Sequence, residues 1–381
     1  MADSGSHADL IVVGAGILGL AHALAAQRRG LSVLVIDREA EAIGASVRNF
    51  GFITVTGQQA GDCWRRALRS RDVWLEVAPK AGIAIEHRGA LLVAQRPEAM
   101  AVLQAFMGTD MAADCTLLGK TETIRLHGSI LASHGIHGAL WSPHDARVES
   151  RHAIPKLAHW LEVAMGVRFR RRTLVKAVEQ GRVVTSNGTF TAGKIAVCTG
   201  DDLLTLFPER IKALGITRCR LHMMKVDPQD TRFRLPGSIM SDLSLGRYLG
   251  WAELPEAANL KARLAAEQPG HLAEGIHLIA VQGRDGGLIV GDSHHYEWSP
   301  SPFNRDAVDG LMLEEMHKVL RLPHARVTER WTGTYASLPD KLMIREAPDE
   351  NIALVIVTSG TGASTSFAIA EETITEFYGA P

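Results

Sequence analysis

The stretch Leu10–Gly19 reads LIVVGAGILG, four apolar residues followed by Gly14-x-Gly16-x-x-Gly19. Residues of these types at this spacing build a phosphate cradle. Gly14 permits a tight turn, Gly16 lets backbone approach a pyrophosphate, and Gly19 lets helix and strand pack closely. The helix predicted next, opening at Ile17 and Leu18, starts with unpaired N–H groups and a partial positive charge, which suits a diphosphate. The second strand, LSVLVID, ends at Asp37 with Arg38 beside it. That is close to the roughly 20-residue spacing at which a carboxylate takes the ribose hydroxyls. A bare G-x-G-x-x-G is a common turn; strands on both sides and the acid in place make it a dinucleotide site.

Three more segments carry polar chemistry. Gly44, Ala45, Ser46, Arg48, Asn49, Phe50 and Gly51 combine hydroxyl, guanidinium, amide and bare backbone in one loop; read alone, that string is an ordinary solvated turn. Val197-Cys198-Thr199-Gly200 ends a buried strand where backbone can pass close to a nucleoside. Ser359-Gly360-Thr361-Gly362-Ala363-Ser364 lies between a strand and a helix, so its N–H groups face whatever sits at that helix N-terminus. Substrate-side candidates are fewer. His294, His295 and Tyr296 follow a strand, Arg218, Arg220 and His222 alternate along another, and Arg48 could reach an oxyanion. No acid/base pair stands out.

These segments need elements to position them. Helical spacing covers Cys63–Ala78, PEAMAVLQAFM, Val148–Ala164 (with Ser150 as its cap), Ala307–Val319 and Thr365–Phe377. Strands are predicted at Arg88–Gln95, at Ala139–Trp141 ending on a Pro turn, at Cys219–Val226, His277–Gln282, Leu288–Val290 and Ile352–Val357. Between Val167 and Thr199 the pattern is of short antiparallel strands returning to a buried one. No internal repeat or low-complexity linker is present. A nucleotide-type strand–turn–helix stands at each end of the chain, so the last strand should return to the sheet the first one starts. The nucleotide domain is then discontinuous, and the middle supplies a second, mostly antiparallel layer.

Bulk composition sets limits. A chain of 381 residues exceeds one ordinary core, and 46% apolar residues with net charge −1 describe a globular enzyme with no reason to bind nucleic acid or an anionic membrane. Cys63, Cys115, Cys198 and Cys219 lack metal or redox spacing and read as reduced thiols of a cytoplasmic protein. Leu10–Ala26 is apolar and near the N-terminus, but no Lys or Arg precedes it and its glycines fall at nucleotide-binding spacing. No run is long enough to span a bilayer. Met1–Ala8 reads as a disordered tail.

In order and spacing, the four motifs resemble the flavin-dependent amine oxidoreductases of the D-amino-acid oxidase superfamily, with glycine and sarcosine oxidases as relatives, over nearly the whole chain. The resemblance implies an α/β fold: a Rossmann-like FAD-binding domain (1–85, 145–215 and 337–381) with an interleaved, mainly antiparallel α+β substrate domain (86–144 and 216–336). It implies that Gly14, Gly16, Gly19 and Asp37 hold the ADP half of FAD. Ser46 and Asn49 would line the pyrophosphate and flavin side, Val175 would present backbone to adenine, and Gly360 and Gly362 would face the pyrimidine edge of the flavin. Ile17, Leu18, Arg38, Ala45, Phe50, Gly51, Thr199, Gly200, Thr361, Ala363 and Ser364 complete the expected cofactor contacts.

More narrowly, ASVRNFGF, RDVWLE, LHMMK, GDSHHY, WTGTYASLPD and TSGTGASTSFAIAEE are similar to a bacterial branch linked to aminophosphonate breakdown. Departures from the wider pattern point the same way. Tyr335 stands where glycine and D-amino-acid oxidases place an Arg for the substrate carboxylate, and Ser364 where sarcosine oxidases use a Lys, so two anion anchors are absent. Gly333 stands where sarcosine oxidases tether the flavin through Cys, which implies non-covalent FAD.

The expected reaction is FAD-dependent oxidation of a small primary or N-methylated amine. Hydride passes from the α-carbon to the flavin, and the imine hydrolyses to aldehyde plus ammonia or methylamine. The resemblance implies reoxidation by dioxygen to hydrogen peroxide. The expected substrate is 2-aminoethylphosphonate or its N-methyl form, oriented by Tyr335, His295, Arg48 and His222. Glycine, sarcosine or a D-amino acid as substrate, an FAD dehydrogenase with another acceptor, and a non-catalytic flavin-binding subunit remain the alternatives. An NAD(P)-dependent dehydrogenase leaves the C-terminal Gly-rich turn without a role.

Overall fold

The computed structural model describes residues 7–380. Six of the eight residues expected to form a tail lie outside that range; the other two, His7 and Ala8, open the first strand, and Ala8 is fully buried.

Two sheets share the chain. The first runs in the order Met343–Asp349, Ile352–Val357, Gly188–Val197, His7–Val13, Val33–Ile36, Arg168–Arg170. Its inner pairings are all parallel, and Met343–Asp349 adds an antiparallel edge. Such strands are buried on both faces, which is why LIVV, VLVI and IALVIV are unbroken apolar runs. The helices Ile17–Gln27, Asp62–Lys80, Ser150–Val163 and Gly362–Tyr378 cover one face. The last strand does return beside the strand before Thr199, so both ends of the chain meet in one layer.

The second sheet has ten strands and curls over the C-terminal edges of the first. Its pairings are antiparallel except Ser238–Met240 beside Ile85–Ala94. Thr217–Asp227 organises one end of it, pairing with Arg326–Ser337, Leu288–Gly291 and His295–Glu297. Cys219, Leu221 and Met223 on one face belong to the core toward the first sheet, while Met224 and Val226 join the core under the helix Asp306–Val319.

Three expectations need correction. Arg168–Arg170 pairs parallel with Val33–Ile36, so only 175–179 and 182–185 form the antiparallel return. The strand expected to stop at Pro143 runs on as Gly138–Val148; its register against Ile85–Ala94 shifts between Arg88 and Ala90, and a bulge there tolerates a residue without N–H. Ser150 does not cap its helix. Its hydroxyl donates to Asn49 Oδ1 at 2.8 Å, tying the helix to the Ser46–Gly51 loop.

Glycine spacing is paid for by close packing. A Cβ on Gly19 would lie 1.8 Å from the Gly14 carbonyl oxygen, so only glycine lets the first helix sit on its strand. In that helix His22 is fully buried and hydrogen-bonds the Leu18 carbonyl at 2.7 Å. Desolvation lowers its pKa from 6.5 to about 4. The unfolded chain therefore binds a proton that the folded chain does not, and stability is lost as pH falls through that window. The expected cost is about 3 kcal/mol by the time pH reaches the folded value. Thermal unfolding midpoints should fall as pH drops from 6.5 to about 4, and His22→Gln should flatten that slope; an unchanged slope removes His22 as its cause.

Candidate active site

Two cavities join end to end where the sheets meet. One, of about 190 Å³, is lined by Gly14, Gly16, Asp37, Arg38, Ala45, Ser46, Val175, Thr199 and Gly200. The strand-end geometry explains it: Gly14 has φ +104°, and a Cβ there would lie 2.3 Å from the Cys198 carbonyl oxygen. Asp37 accepts from the N–H of Ala15 at 2.6 Å and of Glu39 at 2.7 Å, which aims its carboxylate along the cavity wall. Arg38 closes the outer edge through Asp202 at 2.7 Å. Ser46 Oγ accepts from the Ile17 N–H at 3.0 Å and packs on Gly16. The first turn of Ile17–Gln27 carries no acidic residue, so its positive end is left for an outside anion.

The second cavity, of about 420 Å³, continues from Gly16, Ala45, Ser46, Cys198 and Gly200 between the sheets. Ile17, Leu18, Asn49 and Phe50 line it on one side, and Gly360, Thr361, Gly362 and Ala363 on the other. Together the two cavities, with a glycine-lined strand end beside Asp37, helix-terminus donors and an inner chamber between the sheets, can hold a flavin dinucleotide. Asn49 uses its amide on the Ala45 carbonyl at 2.7 Å and on the Gly51 N–H at 2.7 Å, so it shapes the loop. The closing helix Gly362–Tyr378 also has no acidic residue in its first turn and points its N-terminus into the chamber.

Three expected cofactor residues do not line either cavity. Gly19 serves helix–strand packing. Gly51, at φ +70°, passes within 1.7 Å of the Val148 carbonyl oxygen if a Cβ is added, so it serves a chain crossing. Ser364 is buried and its Oγ accepts from the Thr54 N–H at 2.9 Å, tying the loop 54–59 to the closing helix. Ser366, one helical step on, does line the chamber.

Of the substrate-side candidates, Tyr335 and Arg48 line the chamber and His222 and His295 do not. Alternation along strands decides this. Leu221 faces the chamber, so Arg220 and His222 face away: Arg220 donates to the Phe303 carbonyl at 2.7 Å, and His222 Nδ1 lies 3.0 Å from Asp309 Oδ1. Likewise His294 and Tyr296 face in, whereas His295 faces Ser293 and Glu274. The segment lines the chamber through His294 and Tyr296 and not through His295.

The chamber also holds residues that no motif indicated: Arg247, Tyr248, His277 and Asp292. Arg247 donates to the Tyr296 hydroxyl at 2.6 Å, and it sits close to the Tyr335 phenol and to the Asp292 carboxylate. A guanidinium thus lines the chamber, on a loop instead of the strand that carries Tyr335. Burial pushes the Tyr335 phenol well above its ordinary value, so it stays a neutral donor. Asp292 is buried; burial pushes its carboxyl up, but the positive charge facing it, Arg247 included, outweighs that and holds it below the usual carboxylate range. Opposite charges thus share one small chamber.

Residues 9–375 match the family model described as DAO, FAD dependent oxidoreductase. None of the curated protein sequences matches. Glycine oxidase from Bacillus cereus has a similar structure, with TM-score 0.78 and 17% identity over 98% of this chain and 95% of that one. L-proline dehydrogenase from P. horikoshii gives 0.77 and 17% over 98% and 94%. L-alpha-glycerophosphate oxidase from Mycoplasma pneumoniae, with FAD bound, gives 0.75 and 17% over 97% and 94%. At such identities the likeness is one of fold. No helix among the described residues is long and apolar enough to cross a membrane. With the family model covering almost the whole length, the chain belongs to the DAO family of FAD-dependent oxidoreductases.

Proposed function

We propose that the chain oxidises a small zwitterionic amine at the carbon bearing nitrogen. One observation carries this: Arg247 and Asp292, a fixed cation and a buried carboxylate, line the same chamber. A ligand with one anionic and one ammonium group satisfies both, whereas a hydroxyl donor such as glycerophosphate brings an anion for Arg247 and no cation for Asp292. FAD, held non-covalently by the cavity residues since Gly333 offers no thiol, supplies the hydride acceptor. The chain binds and orients. Arg247, with the phenols of Tyr296 and Tyr335, fixes the anionic end, and Phe50, Phe52, Leu221 and Ile279 form apolar walls that exclude water.

An amino acid is the substrate that glycine oxidase and proline dehydrogenase support by analogy. An aminophosphonate is the finer alternative. It rests on the missing Arg at Tyr335 and on the similar strings, and its second negative charge would call on Arg48 at the chamber wall. Transfer of electrons to dioxygen or to another acceptor separates an oxidase from a dehydrogenase.

The test is anaerobic bleaching of the yellow protein with glycine, sarcosine, D-alanine, L-proline, 2-aminoethylphosphonate, its N-methyl form and glycerol 3-phosphate. Peroxide is assayed in air. Amines should bleach the flavin and glycerol 3-phosphate should not. Faster reduction by amino acids than by aminophosphonates removes the phosphonate reading. A flavin that no amine reduces removes the whole proposal and leaves a non-catalytic flavin-binding subunit.

A further inference from the structure

Three lone pairs converge in the chamber with no hydrogen between them. His294 Nδ1 lies 2.9 Å from the Gly275 carbonyl oxygen, which can only accept, so Nδ1 carries the ring hydrogen and Nε2 a lone pair. Ser244 Oγ donates to the Leu278 carbonyl at 3.3 Å and therefore accepts from His277 Nδ1 at 3.1 Å. His277 Nε2 is left as a lone pair too. These tautomers are assigned from their partners. The two Nε2 atoms face the same carboxylate: His277 Nε2 is 3.1 Å from Asp292 Oδ1 and His294 Nε2 is 3.7 Å from Asp292 Oδ2. Asp292 Oδ1 is buried without a hydrogen-bond partner. Acceptors placed this close, in a buried site, lack a donor.

Two kinds of donor could fill the gap. The three ligand atoms lie within 4.8 Å of one another, a spacing a metal ion could use. Ring geometry argues against it. The imidazoles of His277 and His294 stack with centroids 5.2 Å apart and planes 21° apart. A metal must lie near the plane of each ring it binds, and near-parallel stacked planes share no such point close to both nitrogens. Hydrogen bonds tolerate more bending, and an ammonium has three N–H groups for three acceptors.

We propose that His277, Asp292 and His294 form an acceptor cage that docks the substrate ammonium and takes one proton from it. The inference rests on the zwitterionic-amine reading above. In the step, an N–H bond of the ammonium breaks and an Nε2–H bond forms on His294, leaving a neutral amine and an imidazolium beside the Asp292 carboxylate. No electrons change hands. The neutral amine is the species that can give up hydride, and Asp292 stabilises the imidazolium by Coulomb attraction. Charged and titratable groups facing the cage are Arg247, Tyr248, Tyr296 and Cys219. Arg247 disfavours the imidazolium, so the carboxylate is what makes proton transfer feasible. Burial holds His294 well below its ordinary value in the empty cage, which keeps it unprotonated and ready to accept.

The test follows anaerobic flavin reduction against pH in wild type, Asp292→Asn and His294→Gln, using whichever amine of the panel reduces the wild type fastest. Near neutral pH each variant should be slower by on the order of 10²-fold, the usual contribution of a positioned base. The deficit should shrink toward high pH, where free amine no longer needs a base. Elemental analysis of the purified protein by plasma mass spectrometry should give no stoichiometric ion. A wild type that no amine reduces overturns the zwitterionic-amine reading and the cage with it. A wild type that is reduced, with variants slowed equally at every pH, overturns the cage alone, as does a stoichiometric metal. Should Asp292→Asn fail to fold, His294→Gln carries the same comparison.

Discussion

Arg247→Ala is expected to lower kcat/KM for the preferred anionic amine by about 10²- to 10³-fold, because truncating one partner of a buried charge pair costs roughly 2–5 kcal/mol. The loss should fall mainly on KM and on the affinity for non-reacting anionic ligands. Arg247 lines the chamber with Tyr335 and donates to the Tyr296 hydroxyl, 2.6 Å away. Arg247→Lys keeps the charge but loses the planar fork, so it should fall between wild type and Ala. Flavin content should stay near the wild-type level, since Arg247 does not line the cavity of Gly14, Asp37 and Val175 that takes the nucleoside end. Steady-state kinetics with matched charged and uncharged amines checks this. If the Ala variant handles anionic amines as wild type does, the anion is held elsewhere, and Arg48 becomes the residue to substitute.

The cofactor side of this site was legible in the chain and the substrate side largely was not, for a physical reason. Backbone approach to a diphosphate demands glycine at particular spacings, so Gly14, Gly16, Gly360 and Gly362 announce themselves in the string. An anion anchor demands only a guanidinium somewhere on the wall. Arg247 lies in LGRYLGWAEL, between a short 3-10 turn and a four-residue helix, where no periodicity or motif marks it. Its partner Tyr296 is 49 residues away in the chain. Replacement of an expected Arg by Tyr335 was readable; relocation of the charge to another loop was not. The histidine segment shows a subtler limit. The segment His294–Tyr296 does reach the chamber wall, but strand phase decides whether His294 or His295 faces inward, and phase is set by pairing with Arg218–Arg220. Ser364 failed for the opposite reason: it is in the right turn, but buried backbone at Thr54 needed an acceptor and claimed its hydroxyl.

Gly14→Ala is expected to abolish flavin binding and to cost about 3 kcal/mol of stability, since it adds both backbone strain and a steric overlap. Gly14 has φ +104°, a conformation L side chains rarely adopt, and its Cβ would sit 2.3 Å from a backbone oxygen of Cys198. Relief by a side-chain rotamer is not available, because the obstacle is main chain at the end of a buried strand. The Cys198 strand end would have to move, and it lines both cavities at their junction. The 450 nm absorbance per chain (~450 nm being the flavin band that gives a flavoprotein its colour) and the thermal midpoint measure the two effects separately. Gly44→Ala is the matched control: a Cβ there meets nothing within 4 Å, so colour and stability should hold. A yellow, stable Gly14→Ala protein would mean that the turn yields easily. The diphosphate end of the cofactor would then not depend on the strand–turn–helix from which the dinucleotide site was inferred.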